Sequence, residues 1–267
     1  MAAVWFTGIG TAYCFYRFPG KRGMQGEEKE HVWGKKIMNY LIVAAHPDDE
    51  TLGAGGTMFK LSQAGHTVHV CILSSHAEAR RMRPADSELS RDIRDSLKIL
   101  GVKGVIYGEF PNIELNTVPH LKLVQFIEEA IVETGAQVIM THHPRDLNND
   151  HVHTSLACQA AARLFQRRGD VAPLRELLFM EVPSATDWAL DSSGRCFVPN
   201  VFIEIGEEGV SKKIEALSAY RGVMRQYPHP RCREALKGLA AFRGGQAGLT
   251  YAEAFESVFR RVTVSEA

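Results

Sequence analysis

Net charge is the first thing this chain lacks: 31 lysines and arginines stand against 31 aspartates and glutamates. A chain with no basic excess carries no overall electrostatic footprint for nucleic acid, so no nucleic-acid partner is expected. Paired cysteines are missing as well. Cys14, Cys71, Cys158, Cys196 and Cys232 form an odd, scattered set, which excludes a CxxC metal or redox motif. They read as buried thiols in a reducing cytosol. The chain also lacks a long uninterrupted apolar run. The stretch from Met1 to Phe18 is apolar and aromatic but is broken by Gly8, Gly10 and Arg17, so no stable membrane span is expected. No basic region precedes it, as a secretory signal would require. The expected location is cytoplasmic. From Met38 onward there is no internal repeat, no low-complexity tract and no Pro/Gly linker.

What remains is an ordinary globular composition, 45% hydrophobic and 23% charged, which rules out wholesale disorder. The character changes abruptly at Met38. Residues 1–37 form a non-conforming leader, apolar at first and then polar and charged. The expectation is that the native protein starts at Met38 and that the leader is a start-site artefact; the rival is a short membrane or targeting element. Residues 38–267 are expected to fold as one domain, large enough to need no staples.

Within that domain strands and helices alternate. Leu41–Ala45 is a short continuous apolar run, the signature of a buried parallel strand. Further strands are expected at Thr67–Leu73, Val105–Tyr107, Gln137–Thr141, Leu177–Glu181 and Val201–Ile205. Helices are expected at Gly53–Ala64, Ser87–Leu100, His120–Glu133, His151–Gln166, Ser211–Tyr220 and Pro230–Ala241, with Gly101 and Gly135 closing two of them. This alternation predicts βαβ units and an α/β fold: a Rossmann-like, mostly parallel sheet with helices on both faces, in a single domain.

Two polar clusters each follow an expected strand. The first is Ala45-His46-Pro47-Asp48-Asp49-Glu50; the second runs from Arg145-Asp146 through Asn148-Asn149-Asp150-His151 to His153. Open parallel sheets bind ligands beyond the carboxyl ends of their strands, where the strand order reverses. If the order runs 3-2-1-4, the loops after strands 1 and 4 face each other, and these loops carry the clusters. Together they offer a His/Asp/His set. Three protein ligands with an open position is the pattern of a catalytic zinc site, and a neighbouring carboxylate that does not bind the metal can accept the proton of the attacking water. Each cluster alone is weaker: Asp48 or Asp49 could simply cap a helix, and His151 could be a helix-start residue with no ligand role. Their paired placement after strands 1 and 4 is the stronger signal.

Residues 45–57, Ala-His-Pro-Asp-Asp-Glu-Thr-Leu-Gly-Ala-Gly-Gly-Thr, resemble the opening motif of the PIG-L/LmbE family of zinc-dependent N-acetylglucosamine deacetylases. Asn148-Asn149-Asp150-His151 resembles that family's second motif, His-x-Asp-His. The likeness continues through Glu109-Phe110-Pro111-Asn112, Thr141-His142-His143-Pro144, Glu181-Val182-Pro183-Ser184 and Tyr227-Pro228-His229-Pro230-Arg231, and covers Met38 to about Phe259. The resemblance implies that His46, Asp49 and His151 hold the metal. It implies that Asp48 is the general base and that Asp150 orients its neighbours. It points to zinc as the cofactor, although iron(II) accepts the same ligands. At position 148 the family has a histidine. The asparagine here can still donate a hydrogen bond to an oxyanion, but it cannot act as a general acid. His229 and His153 are the candidates for protonating the leaving amine.

Other features carry both a functional and a plain reading. Gly53, Gly55 and Gly56 do not fit a G-x-G-x-x-G phosphate loop; close packing of the first helix is the better account. His142 and His143 either line the pocket or support it from behind. Arg80, Arg81 and Arg83 either meet an anionic part of the substrate or form a solvated loop. The stiff 227–231 segment either walls the pocket, delivering His229 or Arg231, or connects two late helices. The resulting expectation is a metal-dependent enzyme that hydrolyses the acetamide of an N-acetylated amino sugar or its conjugate. Alternatives are a binding protein that has lost the chemistry on this fold, or a hydrolase of another amide such as a thiol-sugar conjugate. The small-molecule substrate is the expected partner, and the sequence leaves room for a homo-oligomer.

Overall fold

The structure, a computed structural model, describes residues 37–75, 85–190 and 197–263. The leader up to residue 36 and the arginines 80, 81 and 83 lie outside the described residues. The described residues form one compact unit.

Seven strands make one sheet in the order β3-β2-β1-β4-β5-β7-β6. In chain order they are β1 (Asn39–Ala44), β2 (Thr67–Ile72), β3 (Gly104–Tyr107), β4 (Val138–His142), β5 (Glu176–Met180), β6 (Val201–Glu204) and β7 (Ala252–Arg260). The first five run parallel to one another, and β7 pairs antiparallel with both β5 and β6. Helices α1 (Asp49–Gln63), α2 (Asp86–Ile99), α3 (His120–Thr134), α4 (Asn149–Ala161), α5 (Gly206–Ala219) and α6 (Arg233–Gln246) cover it. This is a single α/β layer system with a mostly parallel sheet. Among the described residues no helix is long and apolar enough to cross a membrane.

The central strands explain the two layers. Side chains alternate across a strand, and β1 is apolar on both faces because both are covered. Tyr40 and Ile42 join a core with Leu52 and Met58 of α1, Ile93 of α2 and Ile214 and Leu217 of α5. Leu41 and Val43 join a second core with Leu123 and Ile127 of α3 and Ala157 and Cys158 of α4. β1 lies between β2 and β4, so the strand order reverses there, and the loops after β1 and β4 open at the same crevice.

Several elements differ from the sequence expectation. α1 starts at Asp49, not Gly53, and is broken at Ala54, whose φ of −143° and ψ of 18° are not helical. The expected start at Gly53 falls just before that break. α4 begins at Asn149 and ends at Ala161; the continuation to Gln166 is only a separate 3-10 turn at Leu164–Gln166. α5 begins at Gly206, five residues early, because two glycines mask its first turn. α6 begins at Arg233 after a Cys232 cap and runs on to Gln246 through Gly244 and Gly245. β7 was not anticipated at all.

The three glycines of α1 are packing residues. A Cβ on Gly53 would lie 2.5 Å from Met180 Sδ, and one on Gly56 would lie 2.7 Å from Ile205 Cδ1. Helix α1 approaches β5 and the start of α5 too closely there for a side chain.

Candidate metal centre

The loop after β1 turns sharply into α1. Asp48 adopts φ 93°, a left-handed conformation that is costly for a residue with a Cβ. The turn is fastened by its own acids: Asp49 Oδ2 accepts the His46 N–H at 3.0 Å, and Glu50 Oε2 accepts the Asp48 N–H at 3.0 Å. Across the crevice, the loop after β4 is fastened in the same way. Asp146 Oδ1 accepts the Asn148 N–H at 2.9 Å, and Asn148 Oδ1 accepts the Asp150 N–H at 2.9 Å, capping α4.

These two loops bring His46, Asp49 and His151 together. Asp49 Oδ2 lies 3.2 Å from His46 Nδ1 and 3.0 Å from His151 Nε2. Donors about 2.0–2.1 Å from a tetrahedral zinc stand about 3.3 Å apart, so the spacing suits such an ion. All three side chains are buried. The far nitrogens face carboxylates: His46 Nε2 is 2.9 Å from Asp150 Oδ2, and His151 Nδ1 is 3.1 Å from Asp146 Oδ2. A carboxylate behind each histidine is the usual outer support of a metal site.

Two further observations test the fit. Both ring nitrogens of His151 are buried without a hydrogen-bond partner among the described residues, Nε2 facing Asp49 and Nδ1 facing Asp146. The pKa of His151 is also raised, to about 10: burial opposes the charge, but Asp49 and Asp146 outweigh it. The same imidazole, together with His46, holds Asp49 well below the usual carboxylate range despite its burial. The pocket thus favours a positive charge between Asp49 and His151, and a divalent cation supplies one. The donor set fits the group.

His142 does not act as a fourth arm. Its Nε2 accepts the Ala45 N–H at 2.9 Å, and its ring stacks on His151 with centroids 3.9 Å apart. Burial and His151 push it down to about 3, so the ring is neutral. It also belongs to a second possible donor set with Asp146 and His151, but that set shares His151. His143 turns elsewhere: its ring meets Phe179 and Phe197 edge-on.

Asp150 lies behind His46, its Oδ2 2.9 Å from His46 Nε2. Besides His46 it accepts the N–H groups of Ile113 at 2.7 Å and Leu115 at 3.0 Å, tying the 113–115 loop to the site. Asn148 is half-buried at the head of α4, with its side-chain oxygen committed to the cap. His153 lies two residues beyond His151 on α4, about 200° round the helix, and so faces away from it. His229 Nδ1 accepts the Arg231 N–H at 3.0 Å, and its ring packs edge-on to Trp188 at 5.7 Å. It is Arg231 that reaches the first loop, with Nη1 3.7 Å from Asp48 Oδ1.

Two further acids at the crevice, Asp146 and Glu50, have no role in the sequence reading. Asp146 backs His151; the only signal was its place in the polar run after strand 4. Glu50 is buried and accepts from Thr51 Oγ1 at 2.6 Å and Tyr220 Oη at 2.7 Å. Burial pushes it up to about 7. Among the described non-glycine residues, Asp48, Ile113 and Ser184 have positive φ. Ile113 bonds Asp150, and Arg231 touches the other two. Backbone strain is concentrated around one crevice, a common property of functional sites.

Comparisons with known proteins agree with this geometry. Residues 41–162 match the family model described as PIG-L: GlcNAc-PI de-N-acetylase. The chain is 26% identical over 196 residues to the uncharacterized deacetylase YaiS of Escherichia coli (strain K12), covering 70% of this chain and 92% of that protein. Among solved structures it resembles N,N'-diacetylchitobiose deacetylase from Pyrococcus horikoshii at 18% identity, with a TM-score of 0.67 over 84% of this chain and 85% of that one. It equally resembles GalB, the 4-carboxy-2-hydroxymuconate hydratase of Pseudomonas putida KT2440, at 21% identity, with a TM-score of 0.67 over 85% and 98%. At these identities the two structures establish the fold alone.

Proposed function

From the match of residues 41–162 to the PIG-L family model we propose that the protein is a metal-dependent N-deacetylase of that family. Its substrate in this reading is an N-acetylated amino sugar carried on a larger conjugate. The observation that carries the proposal is the shared Asp49 oxygen, 3.2 Å from His46 Nδ1 and 3.0 Å from His151 Nε2, with Asp48 next in sequence. His46, Asp49 and His151 would hold the ion, zinc by family likeness. When bound, such an ion supplies Lewis-acid polarisation of the amide carbonyl and acidifies the attacking water.

The chain's own residues do the rest. Asp48 accepts the proton of the attacking water, while Asp49 is committed to the ion and is a poor base. Asn148 contributes an amide donor for the developing oxyanion. The amide nitrogen must gain a proton before it leaves as the free amine, with acetate as the other product. Asp48 can return the proton it took; His229 is the alternative donor, and it would first have to release the Arg231 N–H from Nδ1 and take up a second proton.

Exposed apolar side chains favour a conjugate over a bare sugar. Ile113, Leu147, Trp188 and Tyr227 are all exposed, on loops bonded to site residues or to one another. The hydratase on the same fold favours one competing reading, water addition without amide cleavage, because fold does not fix chemistry.

The test is metal content and acetate release on the full chain, with a panel of N-acetylated amino sugars. About one metal per chain with acetate released is expected. Asp48→Asn should keep the metal and lose about 100-fold or more in turnover; His151→Ala should lose both. Asn148→His should alter the pH–rate profile if this position takes part in proton transfer. Metal bound without acetate from any sugar would move the assignment to another amide or to the hydratase-like reading.

A further inference from the structure

Arg231 connects two strained points of the crevice. Its Nε donates to Ser184 Oγ at 2.7 Å, and its Nη1 lies 3.7 Å from Asp48 Oδ1. Ser184 has φ 69° and Asp48 has φ 93°. The arginine's own backbone is fastened as well: its N–H bonds His229 Nδ1 at 3.0 Å, and its carbonyl accepts the Arg225 N–H at 3.2 Å. A guanidinium is a planar fork, so anchoring Nε on Ser184 fixes the direction of Nη1. That direction is the carboxylate of Asp48, which is 1% exposed and fixed at a turn.

We propose that Arg231, braced on Ser184, is a positioning residue that aims the Asp48 carboxylate into the crevice. The inference rests on Asp48 being the proton acceptor of the proposed deacetylation. The separation of 3.7 Å matters. It is an ion-pair distance, longer than a close hydrogen bond, so the carboxylate is oriented by the charge without being locked to it. A lysine could restore the charge but not both ends of the bridge, because it has one nitrogen where the arginine uses two.

A double-mutant cycle on the full chain tests this. The assay uses the N-acetylated amino sugar that gives the fastest acetate release. Arg231→Ala should lower kcat about 10- to 100-fold, the scale of a reacting group displaced by about 1 Å, with KM, metal content and melting temperature little changed. Ser184→Ala should move kcat the same way by less, and Arg231→Lys should restore only part of it. In an Asp48→Asn background, Arg231→Ala should cost nothing more, because a residue that acts through Asp48 has nothing left to position. The crystal structure of Arg231→Ala should show the Asp48 carboxylate turned from its position here.

An equal loss in both backgrounds, a rise in KM alone, or an unmoved Asp48 side chain would overturn the proposal. Full activity in Asp48→Asn is a different failure, since it removes the proton-acceptor assignment itself.

Discussion

Lys213 and Glu253 form a buried ion pair, Nζ to Oε1 at 2.6 Å, beside the break in α1. Glu253 accepts the N–H groups of Gly56 at 3.0 Å and Thr57 at 2.7 Å, while Lys213 Nζ donates to the Leu52 carbonyl at 2.7 Å. An acid thus sits at the start of the second helical segment and a base at the end of the first, each complementing the local backbone charge. The break lets the short Asp49–Leu52 turn take its own direction toward the crevice. Removing one partner leaves a buried charge uncompensated, which costs about 3–5 kcal/mol. Lys213→Met should therefore lower the melting temperature by roughly 10 °C for a domain of this size. The double variant with Glu253→Gln should lose less than the sum of the two single losses. Thermal melts of the three variants check this; simple additivity would contradict the coupling.

Asp150 is expected to act on the metal through His46. Asp150→Asn keeps one acceptor oxygen, enough for only one of the Leu115 N–H (on Oδ1) and the Ile113 N–H (on Oδ2), and removes the charge behind the imidazole. Metal affinity should fall about 10- to 100-fold, the usual effect of losing such support, with the fold retained. Competition against a chelator measures it. Zinc should raise the melting temperature of the native chain in a concentration-dependent way, and Asp49→Ala should abolish that rise. An Asp150→Asn variant with native affinity would reduce the aspartate to a loop fastener.

The sheet and the crevice were legible in the sequence because parallel strands covered on both faces are written as continuous apolar runs. Leu41–Ala45 is such a run, and the polar residues that follow it have nowhere to go but the strand ends. β7 was hidden for the opposite reason. Its sequence, Ala-Glu-Ala-Phe-Glu-Ser-Val-Phe-Arg, mixes acids into the strand. Glu253 is buried only because Lys213 and two backbone amides meet it, and no local pattern announces partners 40 and nearly 200 residues away. The same limit applies to Arg231. Its motif stood out, but whether it or His229 reached the site depended on a loop path that sequence does not encode locally. The break in α1 was likewise unreadable, since it is imposed by tertiary caps on a stretch of otherwise helical spacing.

Two glycine substitutions should have opposite signs. At Gly56 a Cβ would press on Ile205, with Cδ1 at 2.7 Å and the branched Cβ itself at 3.1 Å. Overpacking of this kind costs about 1–3 kcal/mol, more than the helix propensity that alanine brings. Gly56→Ala should be destabilising. Gly238 lies exposed in α6, and a Cβ there meets nothing within 4 Å. Gly238→Ala should stabilise by about 0.5–1 kcal/mol. Denaturant midpoints at unchanged slope decide both. A neutral Gly56→Ala would mean that α1 can shift away from Ile205 without loss.

The buried cysteines supply a pH-dependent readout of opening. Cys71, Cys158 and Cys232 are all buried thiols. Burial lifts Cys71 far above the ordinary thiol range and pushes Cys158 up to about 12. Only the thiolate reacts with disulfide reagents, so at pH 8.5 the folded chain should leave Cys158 unlabelled for as long as the fold stays closed. The denatured chain should label it at once. Stability has the matching sign. Below the ordinary thiol pKa of 9.0 both states keep the proton and this group adds no pH dependence. As pH rises from there toward about 12, the unfolded chain gives up its proton first, so stability falls across that window. Labelling at pH 8.5 followed by peptide mapping tests the first part, and alkaline denaturation of Cys158→Ala against the native chain tests the second. Prompt labelling of Cys158 in the native state would show that the α4–β4 core opens far more readily than its packing implies.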